Sequence, residues 1–271
     1  LWIASRAKQM RDEMNRVLEN NEPQTVTYFA STDVPFDLVL LIDLSSSTIV
    51  KRDLIKQSTL RFIEAARPTD RLAIDTFSEK TNVISPLTLD RTQLAASVAN
   101  IEGGGGTHVW DAVKFAMELI GPKSLERRRA VVLMSDGVDG SFARTGSGTY
   151  GSESTFADLV EQVRQTDTLI VPIYLDTEQN HGNSFAREEY ENARRALNLL
   201  ADESGGSYYR ARKLTGLNGV YEQVINDLGK VYSLGYKPTN ATHDSTWRWV
   251  NVSIVNRTDL VARTRPGYYA Q

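Results

Sequence analysis

The sequence predicts an α/β fold: a doubly wound, mostly parallel sheet flanked by helices, with a small antiparallel β appendage at the C-terminus. Three observations predict it. The run FDLVLLIDL (36–44) is apolar from Leu38 to Leu44 except at Asp43, which fits a parallel strand buried on both faces. Strand-like and helix-like stretches then alternate through residue 229, the pattern of βαβ units with right-handed crossovers. From Val231 the apolar period changes from 3.6 to 2 in VYSLGYKP, TWRWVNVSIVN and LVARTRPGYY, three segments separated by turn residues.

In chain order, residues 1–20 carry Ile3, Ala7, Met10, Met14 and Val17 at spacings of three and four, the stripe of an amphipathic helix packed on the body of the protein. TVTYFAS (25–31) alternates and predicts a strand that pairs with the appendage. After the first buried strand, Val50, Leu54, Ile55, Phe62 and Ala66 share a helical face, which Pro68 and Asp70 terminate. RLAIDTFS (71–78) is the next strand, and 91–101 and 108–120 read as helices. The second turns Val109, Val113, Ala116, Met117 and Ile120 inward and keeps Asp111 in its first turn, where a negative charge suits the helix dipole. AVVLMS (130–135) is a second buried strand, followed by the glycine- and serine-rich loop 137–154, whose length marks a functional or a disordered segment. Helix 155–165, strand 168–175, helix 185–203, strand 207–211 and helix 217–229 complete the alternation. Pro172 removes a ladder donor and places its strand toward an edge. The expected organisation is 1–34 as an N-terminal helix and strand, 35–232 as the α/β domain, and 233–271 as an appendage packed on it.

Composition narrows the function. The 271 residues are 41% hydrophobic, enough for a large core, and the formal net charge of −3 gives no basic face for nucleic acid. The triplet Arg127–Arg129 reads as a solvated loop rather than a phosphate site. With no cysteine, disulfides, thiolate metal sites and cysteine nucleophiles are excluded. No stretch reaches the roughly 18 apolar residues of a membrane helix, so no membrane insertion by this segment is expected. The chain begins at Leu1, which fits a processed or trimmed fragment.

Three segments place oxygen-bearing side chains at strand ends or helix starts. Asp43 closes the first buried strand and is followed at spacing two by Ser45 and Ser47, which point the same way in an extended loop. EGGGGTHVWDAV (102–113) sets Thr107 after four glycines, and AVVLMSDGVDG (130–140) ends its strand on Asp136. Two acids at neighbouring strand ends repel and raise each other's pKa, a conflict that a dication removes. Hard cations prefer such oxygen donors.

This combination resembles the von Willebrand factor A (VWA) domain, a Rossmann-like fold, whose metal-ion-dependent adhesion site has the pattern Asp-x-Ser-x-Ser, then Thr, then Asp. Position by position, the resemblance gives Asp43, Ser45, Ser47, Thr107 and Asp136, and it covers about residues 36–232. It implies a binding module that holds Mg²⁺, or alternatively Mn²⁺ or Ca²⁺, and captures an Asp or Glu of a protein partner. The two serines would coordinate directly, the aspartates partly through water, and Thr107 would join when the partner binds. Ser46, Gly106, His108 and Asp139 are the expected partner-facing residues of the rim. The tail, with YSLGYKPTN and RTRPGYY, resembles the end of bacterial secreted VWA-related proteins, which implies an extracytoplasmic location.

Enzyme readings fit less well, and no catalytic residue is expected. An aspartate phosphoryl acceptor usually has a second acid two residues on, where this chain has Ser45; GGGGTH lacks the Gly-Lys-Ser/Thr of a Walker loop. Ser135 sits in MSDG rather than a Gly-x-Ser-x-Gly elbow, and of the histidines His108 adjoins the rim while His181 and His243 fall in polar loops. A scaffold with a stabilising metal is the alternative reading, and a metal-dependent hydrolase a more distant one. Trp247 and Trp249 share a strand face and either cover the domain edge or offer an aromatic patch; Asn240, Asn251 and Asn256, each starting Asn-x-Ser/Thr, read as turn and strand-edge residues.

Overall fold

A computed structural model describes residues 16–30, 32–48, 52–99, 101–121, 126–142, 151–177, 184–211, 217–255 and 261–270. The chain runs β1 (Arg16–Glu19), β2 (Glu22–Gln24), β3 (Val26–Ala30), β4 (Phe36–Asp43), α1 (Arg52–Ala65), β5 (Arg71–Phe77), β6 (Thr81–Thr88), α2 (Arg91–Val98), α3 (Val109–Leu119), β7 (Arg128–Ser135), α4 (Phe156–Gln165), β8 (Thr168–Leu175), α5 (Ser184–Ser204), β9 (Tyr209–Ala211), α6 (Leu217–Leu228), β10 (Ser233–Tyr236), β11 (Trp247–Ser253) and β12 (Gly267–Tyr269).

The central sheet has six strands in the order β6-β5-β4-β7-β8-β9, parallel throughout except between β5 and β6. Every residue of β4 is buried, and its alternate side chains feed two cores. Leu38, Leu40 and Ile42 pack with Ile55 and Phe62 of α1 and Tyr221 and Val224 of α6; Val39 and Leu41 pack with Val113 of α3, Leu159 of α4 and Leu197 of α5. Cover on both faces is why the run reads as continuous rather than alternating. Truncation there, as in Leu40→Ala, costs about 2–5 kcal/mol. β4 and β7 are in parallel register with Ile42 opposite Met134, so Asp43 and Asp136 leave the sheet at the same carboxyl edge.

Several expectations are corrected. β6 was not foreseen: its single Pro86 and polar residues hide it, and it lies antiparallel at an edge, where proline is tolerated. Pro172 does not sit on an edge strand, since β9 lies outside β8; the β8–β9 pairing spans only Ile173–Leu175, so the proline falls just before that ladder. The helix expected over 1–20 is a strand at Arg16–Glu19, and residues 1–15 lie outside the described residues. Val17 and Glu19 point inward at 2% and 3% exposure, and Asn20 and Asn21 turn the chain with φ of 49° and 69°, the paired positive angles of a tight hairpin. The triplet Arg127–Arg129 is not a solvated loop. Arg127 and Arg71 grip Asp37, Arg128 donates to the Val34 carbonyl and the Ser233 hydroxyl, and Arg129 donates to the Gly121 carbonyl. Although burial raises the Asp37 pKa, the two guanidiniums hold it below the usual range.

The tail pairs with the N-terminal strands. β10 lies antiparallel to β3, with Leu234 opposite Phe29, so the strand expected at 25–31 does pair with the tail. β12, β11, β1 and β2 form a second small sheet. Its buried centre is Glu19, which accepts from Arg248 at 3.2 Å, Tyr236 at 2.8 Å and Tyr268 at 2.7 Å. Trp247 packs on Tyr269 and under Arg164 of α4, whereas Trp249 is 61% exposed. Asn240 makes a turn by accepting the Thr242 N–H, and Asn251 lies exposed in β11. Among the described residues no helix is long and apolar enough to cross a membrane. Val50, His181 and Asn256 lie outside the described residues.

Candidate functional site

Asp43 is wholly buried where β4 ends. Its Oδ1 accepts the Ser45 N–H at 2.9 Å, an Asx turn that folds the serine loop back over the carboxylate, and its Oδ2 accepts the Ser135 hydroxyl at 2.5 Å. Thr48 fixes the same turn by donating to the Asp43 and Ser45 carbonyls at 2.9 and 3.1 Å. The Ser45 and Ser47 hydroxyls lie 3.2 Å apart, so the spacing of two brings both oxygens to one point.

Asp136 is also fully buried. It accepts the Val138 N–H at 3.2 Å and the Thr177 hydroxyl at 2.8 Å, and Thr177 is itself bonded to Tyr190. The two acids sense each other. Burial and then the Asp136 charge push the Asp43 carboxyl up to about 7.

Thr107 is half-buried at the end of the glycine loop, and its carbonyl accepts the Gly140 N–H at 2.8 Å. The glycines permit close approach. A Cβ on Gly103 would stand 2.3 Å from Leu44 Cβ, and Gly105 has φ +99° with Glu79 Oε1 2.8 Å from its would-be Cβ. Ser46 stitches its own loop to this one, accepting the Gly105 N–H and donating its hydroxyl to the Gly105 carbonyl at 3.0 Å. Glu79 accepts the Gly106 N–H at 3.0 Å, and the His108 N–H donates to the Ser78 carbonyl at 2.9 Å.

Of the four rim residues, Ser46 is exposed and Gly106 and His108 are half-buried. Asp139 is not a rim residue. It is fully buried and caps α3 from a distance, accepting the Val109 N–H and the Ser152 hydroxyl at 2.8 and 2.6 Å and the Ser141 and Ser152 N–H groups. Ser152 in turn accepts from Trp110 and Asp111, so three orphan donors of the helix start are satisfied from the loop 137–154. Asp111 accepts the Glu153 and Ser154 N–H groups, ordering the same loop end; residues 143–150 lie outside the described residues. His108 Nδ1 stands 3.9 Å from Asp111, while Ser135 is buried with its hydroxyl donated to Asp43.

Sequence reasoning missed the supporting roles of Thr48, Glu79, Ser135 and Thr177, and gave Asp139 the wrong one. Thr48 acts within its own turn, whereas the other four act on residues brought near by the fold. The donor set fits a hard divalent cation: two carboxylates in conflict and two convergent hydroxyls, with no nitrogen or sulfur ligand needed. Among the described residues no three His, Cys, Asp or Glu side chains are placed so that they could hold a metal ion by themselves, so a cation here would rely on hydroxyls as well as acids.

Residues 38–138 match the family model of the von Willebrand factor type A domain. The chain is similar in structure to BatB, a conserved hypothetical protein from Bacteroides thetaiotaomicron, with a TM-score of 0.55 at 13% identity over 72% of this chain and 100% of that one. It is similar to the vWF domain of the type V pili tip protein Mfa5 from Porphyromonas gingivalis, with a TM-score of 0.56 at 15% identity over 78% and 99% of the two chains. It is also similar to proximal thread matrix protein 1 from the mussel byssus with a zinc-occupied MIDAS motif, with a TM-score of 0.53 at 15% identity over 72% of this chain and 48% of that one. At such identities the likeness is one of fold. Comparison with curated proteins gives no match. The parallel sheet flanked by helices, together with the matched segment 38–138, gives this chain a von Willebrand factor A-like fold.

Proposed function

We propose that the chain is a divalent-metal-dependent, non-enzymatic protein-binding module of the adhesion type, which captures an acidic side chain of its partner at Asp43, Ser45, Ser47, Thr107 and Asp136. The observation that carries this reading is the buried acid pair at the carboxyl edge of β4 and β7, where Asp43 is pushed up to about 7 by burial and by Asp136. A charge conflict kept in the dry core is costly to stability and is a mark of functional sites.

When bound, Mg²⁺, with Mn²⁺ or Ca²⁺ as alternatives, supplies a hard Lewis-acidic centre that takes a carboxylate oxygen. The chain's own residues prepare the rest. The Ser45 and Ser47 hydroxyls, 3.2 Å apart, serve as direct ligands. Asp43 and Asp136 already accept protein hydrogen bonds on both oxygens and serve partly through water. Two acids only balance a dication, which favours an incoming acid. Thr107, on its glycine loop, joins as the partner arrives, and Ser46, Gly106 and His108 face that partner. The module works outside the cytoplasm, as the pilus-tip neighbour does by its name.

Isothermal titration of Mg²⁺ and Mn²⁺ into the chain and into Asp43→Ala tests the first half: binding is expected in the former and not in the latter. Equal affinities reject the site. A pull-down with and without Mg²⁺, repeated with Thr107→Ala, tests the second half. A partner retained equally in all cases means that capture does not use this cation.

A further inference from the structure

The loop that carries Thr107 cannot hold its own position. Gly103–Gly106 have no side chains to pack, and Gly104 and Gly105 take φ of 137° and 99°, so neighbours must fix the segment. Neutral groups do part of this. Ser46 bonds the Gly105 N–H and carbonyl, the Ser78 carbonyl accepts the His108 N–H, and the Gly140 N–H reaches the Thr107 carbonyl.

Glu79 supplies a charged contact. Phe77 ends β5 opposite Asp43, and its carbonyl accepts the Leu44 N–H at 2.8 Å, so the turn that bears Glu79 is in register with the strand end that bears Asp43. From there the Glu79 side chain lies along the loop. Its Oε1 accepts the Gly106 N–H at 3.0 Å, and its Oε1, Cδ and Cγ stand 2.8, 3.1 and 3.4 Å from where a Cβ on Gly105 would be. Glu79 is exposed and meets no Lys, Arg or His among the described residues, so ion pairing does not account for its placement. A carboxylate on a backbone N–H is a charge-assisted bond, stronger than one between neutral groups.

We propose that Glu79 is a positioning residue of the cation site: it ties Gly106 to the sheet edge and so holds Thr107 where it can join the cation as the acid is captured, while itself staying off the cation. This rests on the capture reading above. Ser46 ties Gly105 to the serine loop and Glu79 ties the next residue to the turn after β5, so the glycine segment is held from two sides immediately before Thr107.

The test has two readouts. In the cation-free chain, amide exchange by NMR compares the native protein with Glu79→Ala and Glu79→Gln. The Gly105 and His108 N–H groups bond to Ser46 and Ser78 rather than to Glu79. They are expected to exchange roughly three- to tenfold faster in Glu79→Ala, with Glu79→Gln, which keeps an uncharged acceptor, in between. Unchanged rates at these two amides overturn the proposal whether or not a cation binds. The chain is then saturated with Mg²⁺ and titrated with acetate, with ionic strength held constant by chloride. Acetate affinity is expected to fall by a similar factor in Glu79→Ala, and the double variant with Thr107→Ala to bind no more weakly than Thr107→Ala alone, because both changes remove one contribution. Mg²⁺ affinity by calorimetry stays within about twofold, since an exposed carboxylate off the cation is screened. A Mg²⁺ affinity that falls with the acetate affinity makes Glu79 a ligand, and a Glu79→Ala effect that persists in Thr107→Ala routes it through another residue; either overturns the proposal. A native chain that takes Mg²⁺ but no acetate refutes the capture reading, and the exchange rates then decide by themselves whether Glu79 holds the loop.

Discussion

Asp75 is the sharpest stability test in the molecule. It lies in the middle of β5, paired with Leu41 and Val83, on the face whose neighbours Ala73 and Phe77 pack against α3. It has no solvent exposure, and among the described residues neither carboxylate oxygen has a hydrogen-bond partner. Burial alone pushes its pKa from 3.8 to about 7. A carboxyl moved that far corresponds to roughly 4 kcal/mol between its protonation states, an upper bound because a core relaxes around a charge. The sign follows from proton counting. Between pH 3.8 and about 7 the folded chain holds a proton that the unfolded chain has lost, so stability falls as pH rises through that window. Asp75→Asn keeps the shape and cannot ionise. Urea unfolding of both proteins at pH 5, 6, 7 and 8, with EDTA present, is therefore expected to show the native chain losing about 2 to 3 kcal/mol relative to the variant across the series. Other carboxyls titrate in both proteins and cancel in the difference. Parallel profiles would mean that Asp75 is solvated or paired in solution, and the reasoning would fail.

Other perturbations have equally definite outcomes. Asp43→Asn relieves the buried acid conflict, so the cation-free protein is expected to unfold at a higher urea concentration while cation binding, read by calorimetry, disappears. Glu19→Gln or Arg248→Leu breaks the fully buried pair of the small sheet and should cost about 3–5 kcal/mol in chemical denaturation, with early loss of amide protection in 16–30 and 233–253 together. Asp139→Ala strands the Val109, Ser141 and Ser152 N–H groups, and a loss of about 1–3 kcal/mol is expected in the same assay. Gly103→Ala drives a methyl against Leu44 and should destabilise the protein by about 1–3 kcal/mol, read as a lower thermal midpoint.

What could be read from sequence depended on whether its physical cause was local. β4 and β7 were legible because burial on both faces leaves an uninterrupted apolar run, and Asp43 and Asp136 stood out as charges at the ends of those runs. The Ser45 and Ser47 hydroxyls converge because side-chain direction repeats every second residue in an extended loop. β6 was hidden because an edge strand half in solvent, with Pro86, has no such run. At β1, Val17 fitted a helical spacing although it lies in a strand, and the Asn20-Asn21 pair was a readable hairpin signal. The supports of the site were out of reach. Ser135 acts on Asp43 from 92 residues away, Thr177 on Asp136 from 41 and Asp139 on Val109 from 30, so pattern reading along the chain cannot join them. Asp139 looked like a rim acid for that reason, and the fold instead uses it to close a helix.

The central claim is that Asp43, Ser45, Ser47, Thr107 and Asp136 hold one hard cation. Crystals grown without metal and then soaked in manganese chloride test it through the anomalous signal of the ion. A single strong peak within about 2.2 Å of the Ser45 and Ser47 hydroxyl oxygens, with Asp43, Thr107 and Asp136 around it directly or through water, is the predicted result. A map with no peak at this rim, or with its manganese bound at unrelated surface carboxylates, contradicts it.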